Sequence, residues 1–188
     1  MKLHLSPLTL LFFSIYLLVA HDLTLVATIS AIVIHELTHL IVLLLCNGRA
    51  ARLSITPLGL SIEREGLLSH WNEVWLSISA PLMNLVLSGL FLAGHVSMYA
   101  VYANLSFGLF NLLPIYPLDG AKALFAALSR WRSPDQAGGI CRVISLLTLF
   151  LLWLFSIAFA LFYDGNLSLL LLCSVMFISN ASDDAFYK

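Results

Sequence analysis

Residues 23–46 read Leu23-Thr24-Leu25-Val26-Ala27-Thr28-Ile29-Ser30-Ala31-Ile32-Val33-Ile34-His35-Glu36-Leu37-Thr38-His39-Leu40-Ile41-Val42-Leu43-Leu44-Leu45-Cys46. A run of this length and apolarity is long enough for one helical crossing of a bilayer, which needs roughly 20 residues. Two histidines and a glutamate stand near its middle. Ionisable groups at that depth are costly unless they are paired or functional. Positions four apart share one face of a helix, so His35 and His39 project to the same side.

The rest of the chain has the same character. Of 188 residues 61% are hydrophobic and 10% are charged, against about 25% charged in an ordinary soluble domain. A soluble fold of this length could not hide so much apolar surface, so the lipid bilayer is its expected solvent. Net charge is −1 and there is no basic run, which argues against a nucleic-acid partner. Cys46, Cys141 and Cys173 lie far apart without ligand spacing and read as small buried hydrophobes.

The expected architecture is an all-α polytopic membrane protein forming one domain over residues 1–188. Six spans are expected, at about 3–20, 23–46, 74–97, 99–127, 140–162 and 165–181. The first is read as a retained span and not a cleaved signal, because no convincing small-x-small site ends it. With six spans, all nine basic residues fall on one side, and the connections near Asp22, Ser97 and Asp164 carry none. The positive-inside rule makes that side cytoplasmic, with both termini there. Trp71, Trp75 and Trp131 fall near the same interface. Between the second and third spans, Leu53 and Ile55, then Leu58, Leu60 and Ile62, alternate with polar residues around Pro57 and Gly59. This predicts two short interfacial strands resembling a hairpin. They are either an amphipathic loop or an edge that holds an extended substrate by main-chain pairing.

His35-Glu36-Leu37-Thr38-His39 supplies two imidazoles for one metal and a carboxylate beside the first of them. Zinc lowers the pKa of a bound water to about 7, and Glu36 could accept its proton. A catalytic zinc commonly takes three protein ligands. Among Glu36, Asp119 and Asp164, the acids associated with apolar runs, depth and side both select Asp119. Its surroundings read Asn111-Leu112-Leu113-Pro114-Ile115-Tyr116-Pro117-Leu118-Asp119-Gly120. Two prolines three apart break a helix, and irregular backbone at membrane depth belongs in buried or water-lined places. Asn111 either holds substrate or the oxyanion, or satisfies the broken backbone. Asn84, in Ala80-Pro81-Leu82-Met83-Asn84, either orients a ligand from behind or bonds helix to helix.

These two stretches resemble the site-2 protease family of intramembrane metalloproteases. With Ala121-Lys122-Ala123-Leu124-Phe125 added, the second is most similar to the stage IV sporulation branch. The resemblance implies one zinc held by His35, His39 and Asp119, with Glu36 activating water and Asn111 contacting substrate. It implies a multi-pass protein of a bacterial cell membrane with its active site toward the cytoplasm. It further implies a membrane-associated protein substrate, in that branch a sigma-factor precursor, and inhibitory membrane-protein partners. Thr38, Ala80 and Ala121 stand where the family commonly has glycine, and none removes a reactive group. The chain ends at Lys188 without the nucleotide-sensing domain of the sporulation branch. Two other readings remain. A zinc transporter would need polar residues along a route to both sides, and the outer halves of the spans offer few. A catalytically inactive scaffold would not need the full reactive set.

Overall fold

The computed structural model describes residues 3–5, 22–46, 49–56, 59–65, 68–162 and 168–182. The chain divides into two compact units, Met1–Leu112 and Leu113–Lys188.

Among the described residues, the first unit contains three strands and three helices. Strands β2 (Arg49–Thr56) and β3 (Gly59–Glu65) pair antiparallel. Their register sets Leu53 opposite Ile62 and Ile55 opposite Leu60. Strand β1 (Leu3–Leu5) runs parallel to β2, giving the order β1-β2-β3. Leu3–Leu5 is therefore a strand and not the opening turn of a span. The remainder of the span expected at 3–20 lies outside the described residues.

Helices α1 (Asp22–Leu45), α2 (His70–Ala93) and α3 (Met98–Asn111) follow. Helix α2 starts four residues before the expected boundary because Ser69 caps it, accepting a bond from the Asn72 N–H at 3.3 Å. This is ordinary N-cap chemistry. Side-chain bonds fix how the three helices run. Ala31 and His35 of α1 meet Asn84, and His39 meets Leu76, so α1 and α2 are antiparallel. Ser88 meets Val101 and Asn84 meets Asn104, so α2 and α3 are antiparallel too. Helix α3 packs tightly against α2 at Gly108. A Cβ there would stand 2.9 Å from the Pro81 carbonyl oxygen and 3.0 Å from Leu85 Cδ2.

The second unit begins with an irregular stretch, Leu113–Leu118, followed by α4 (Asp119–Leu128), α5 (Pro134–Phe162) and α6 (Ser168–Ser182). Helix therefore stops at Asn111 and resumes at Asp119, where two prolines remove donors and crowd the preceding turn. The Tyr116–Pro117 peptide bond is cis. Helix α5 starts at Pro134, six residues before the expected boundary. Proline suits a first helical position, where its missing donor is not needed. Helices α5 and α6 pack along Cys141, Ser145, Leu149, Cys173 and Met176, all fully buried.

The distribution of side chains is the reverse of a soluble protein's. On α1 the buried positions are Ala31, His35, Thr38, His39 and Leu43, while Leu23, Val26, Val33, Leu37, Ile41 and Leu44 are exposed. A soluble helix would bury its large aliphatics and expose its polar groups. Three helices, Leu23–Leu45, His70–Ala93 and Pro134–Phe162, are long and apolar enough to cross a membrane. Helix α3, with 14 residues, reaches about 21 Å, short of a hydrocarbon core of about 30 Å.

Candidate metal centre

In the first unit, α1 presents His35 and His39 one turn apart on its buried face. They are 2% and 8% exposed, and their ring centroids are 4.8 Å apart at 87°. Phe107 of α3 packs edge-on to His35 with centroids 4.9 Å apart. Each imidazole is held by its Nδ1. His39 Nδ1 lies 2.8 Å from the Leu76 carbonyl oxygen. A carbonyl only accepts, so His39 Nδ1 carries the proton and donates. That carbonyl belongs to the turn of α2 just ahead of Pro81, which has no N–H to give Ser77.

His35 Nδ1 lies 2.9 Å from Asn84 Oδ1. The Asn84 amide is oriented by its other bonds: Nδ2 donates to the Ala31 carbonyl at 3.1 Å and to Asn104 Oδ1 at 2.9 Å. Its oxygen therefore faces His35, and His35 Nδ1 is also a donor. A neutral imidazole protonated at Nδ1 has its lone pair on Nε2. Both rings thus carry the same tautomer, with the lone pair on Nε2. Such outer hydrogen bonds fix the tautomer and ring orientation of metal-binding histidines. The same Asn84 amide bonds to α1 and α3 and to the His35 ring.

Glu36 follows His35 and is half-buried. Asn111 is the last residue of α3 and 7% exposed; its Nδ2 donates to the Phe107 carbonyl one turn back at 3.0 Å. One of its two amide hydrogens is used there.

In the second unit, Asp119 opens α4 and is 5% exposed. The Lys122 ammonium donates to Asp119 Oδ1 at 2.9 Å, with the lysine side chain half exposed. The stretch leading to Asp119 is pinned at Tyr116 through both its N–H and its carbonyl. Tyr116 N–H donates to Ser145 Oγ at 2.9 Å, and the Tyr116 carbonyl accepts from Asn180 Nδ2 at 2.7 Å. Ser145 Oγ donates to Asn180 Oδ1 at 3.1 Å, closing the loop of bonds. Ile115 and Leu118 are buried on either side of this clamp. The sequence reading did not single out Asn104, Ser145 or Asn180. Each is a polar side chain in an apolar helix, which is the signal that could have found them.

The donor chemistry suits zinc. Two neutral imidazoles and a carboxylate are ordinary zinc ligands, and the outer bonds of both rings are in place.

Comparison with known proteins bears on this geometry. Residues 91–154 match the family model described as Peptidase family M50. That stretch includes Asn104, Asn111, Asp119 and Ser145. Stage IV sporulation protein FB of Bacillus subtilis (strain 168) is 29% identical over 140 residues, covering 69% of this chain and 49% of that protein. The chain thus spans about half the length of this relative. A site-2 protease from Methanocaldococcus jannaschii has the same fold, with a TM-score of 0.71 at 19% identity, covering 95% of this chain and 88% of that one. The chain thus resembles peptidase family M50 in sequence over residues 91–154, and over 95% of its length it shares the fold of a site-2 protease.

Proposed function

We propose that this protein is an intramembrane zinc metalloprotease, hydrolysing a peptide bond in a membrane-associated protein. The two sequence motifs, His35-Glu36-Leu37-Thr38-His39 and the stretch ending at Asp119, assign His35, His39 and Asp119 to a single zinc ion in one catalytic domain. The observation that carries this reading is the pair of buried imidazoles on α1, both tied through Nδ1 to oxygen acceptors. Placing ionisable rings inside a helix whose outer face is aliphatic is costly, and holding both in the metal-binding tautomer gives a physical reason for doing so.

When bound, zinc acidifies water and polarises the scissile carbonyl. Glu36 takes the proton of the attacking water and delivers it to the departing amine, so one carboxylate serves as base and then acid. The second amide hydrogen of Asn111 donates to the oxygen that gains charge as the carbonyl carbon becomes tetrahedral. A helical substrate hides its carbonyls in its own bonds, so the cleaved segment must be extended. Strand β3, at the edge of the described sheet, offers main-chain pairing for such a segment.

The protein crosses a bacterial cell membrane six times, with both termini and the active site toward the cytoplasm. The placement of all nine basic residues supports this orientation. The resemblance of the sequence motifs to the sporulation branch points to a sigma-factor precursor as substrate and inhibitory membrane proteins as partners, and the similarity to stage IV sporulation protein FB supports that branch. The test is zinc content together with cleavage of a membrane-tethered sigma-factor precursor, comparing the native chain with Glu36→Gln. Cleavage that is lost in Glu36→Gln, with about one zinc retained in both, supports the mechanism. Cleavage surviving in Glu36→Gln removes Glu36 from the role of base.

A further inference from the structure

The amide chain behind His35 does not end at Asn84. Asn104, on α3 and 2% exposed, gives its own Nδ2 to the Ala100 carbonyl at 2.9 Å. That carbonyl can only accept, so it fixes which way the Asn104 amide points. Asn104 Oδ1 is thereby turned toward α2, where it accepts from Asn84 Nδ2 at 2.9 Å. Asn84 Oδ1 is then turned toward His35 Nδ1 at 2.9 Å. Each link is set by the one before it. The sequence begins at a main-chain oxygen on α3 and ends at the proton of an imidazole on α1.

We infer that Asn104 is a positioning residue that selects the tautomer of His35, acting through the Asn84 amide. Flipping Asn84 would bring its oxygen against Asn104 Oδ1 and against the Ala31 carbonyl, two acceptors that it could not pair with. It would also present Nδ2 hydrogens to His35 Nδ1, which then would have to carry the lone pair. The ring proton would move to Nε2, the atom that a metal needs. Asn104 and Ala31 each oppose that flip. Asn104 touches neither His35 nor any reacting atom, so its effect is on which ring nitrogen can ligate.

A role confined to joining α2 and α3 would change stability without changing the ring. The tautomer therefore separates the two. The experiment uses the full chain in detergent micelles, labelled with 15N-histidine and stripped of metal. Nitrogen shifts of His35 are read at a pH where the ring is neutral. Zinc affinity is measured separately by chelator competition. In the parent chain and in Asn104→Asp, which keeps an acceptor facing Asn84, the proton should reside on Nδ1. In Asn104→Leu, of similar size without an acceptor, a mixture of tautomers should emerge. Zinc should then bind about 10- to 100-fold more weakly, the usual consequence of losing an outer-shell partner.

A leucine variant with the parent's tautomer and zinc affinity would overturn the inference. If the leucine variant does not fold, Asn104→Asp decides: a parent-like ring supports the relay and a shifted proton overturns it. The inference rests on the metal-site reading for its purpose, and the two fail separately. A parent chain that binds no zinc but shows the predicted ring response would sink the metal site and leave the relay standing.

Discussion

Gly108→Ala sets two effects of opposite sign against each other. Glycine within a helix is less favourable than alanine by about 1 kcal/mol, so propensity alone makes this substitution stabilising. Space argues the other way. The new Cβ would stand 2.9 Å from the Pro81 carbonyl oxygen, 3.0 Å from Leu85 Cδ2 and 3.1 Å from Leu85 Cγ, where ordinary contact begins near 3.4 Å. A leucine side chain can turn aside, but a carbonyl within a helix cannot. Helices α2 and α3 must therefore separate by about half an ångström at this crossing. Forced overpacking of that kind costs about 1–3 kcal/mol, so crowding outweighs propensity. The displacement also reaches the metal centre. Asn104 lies one turn from Gly108, and its 2.9 Å bond to Asn84 would stretch beyond the normal range, which ends at about 3.2 Å. The expected outcome is a lower unfolding midpoint in detergent, together with weaker zinc binding. Gly89→Ala in α2 and Gly139→Ala in α5 are the controls, since a Cβ at either position meets nothing within 4 Å. The controls should show unchanged or higher stability. A Gly108→Ala protein as stable as the controls, with parent zinc affinity, would refute both the close approach and its coupling to the site.

Asp119→Asn removes one ligand charge, and zinc content after dialysis should fall well below that of the parent; an unchanged content would reject Asp119 as a ligand. Ser145→Ala leaves the Tyr116 N–H and Asn180 Oδ1 without their shared partner. Each buried group so stranded costs about 1–3 kcal/mol, so the unfolding midpoint should drop, and Ser145→Thr, which keeps the hydroxyl, should recover much of it. Asn111→Ala should lower kcat about 100- to 1,000-fold, as loss of an oxyanion donor does, while zinc content stays at the parent level. Zinc loss in that variant would instead make Asn111 a support of the metal site.

The candidate reactive groups could be picked out because their chemistry is written into spacing. Two histidines four apart, a glutamate between them and an aspartate after paired prolines each have a meaning that does not depend on knowing the partner. The break in helix between Asn111 and Asp119 was legible for the same reason, since proline acts on its own backbone. The groups that hold the site were not. Asn104, Ser145 and Asn180 are single polar residues in apolar helices, and their meaning lies in what they face: Asn84, Tyr116 and each other. Pairing across helices is set by packing, and one sequence does not display it. Helix starts failed in a related way. The expected boundaries followed the apolar runs, whereas α2 and α5 begin earlier, at polar residues that Ser69 caps and Pro134 opens.

Where its described helices cross, this protein sets many small and polar side chains among its buried aliphatics. Ala31, Asn84, Ser88, Asn104 and Gly108 lie where helices of the first unit cross, and Ser145, Cys141 and Asn180 lie inside the second. When the outer faces are apolar and the solvent is lipid, burying another leucine gains little, since lipid is as apolar as leucine. Close approach and hydrogen bonding then hold helices together. Those same bonds orient the groups that do chemistry: Asn84 joins α1, α2 and α3 and also points the His35 ring. Packing and ligand geometry are therefore one set of contacts here. A substitution at a crossing should be felt at the metal even when it touches no ligand. A substitution at an exposed aliphatic such as Leu37 or Ile41 should be felt at neither.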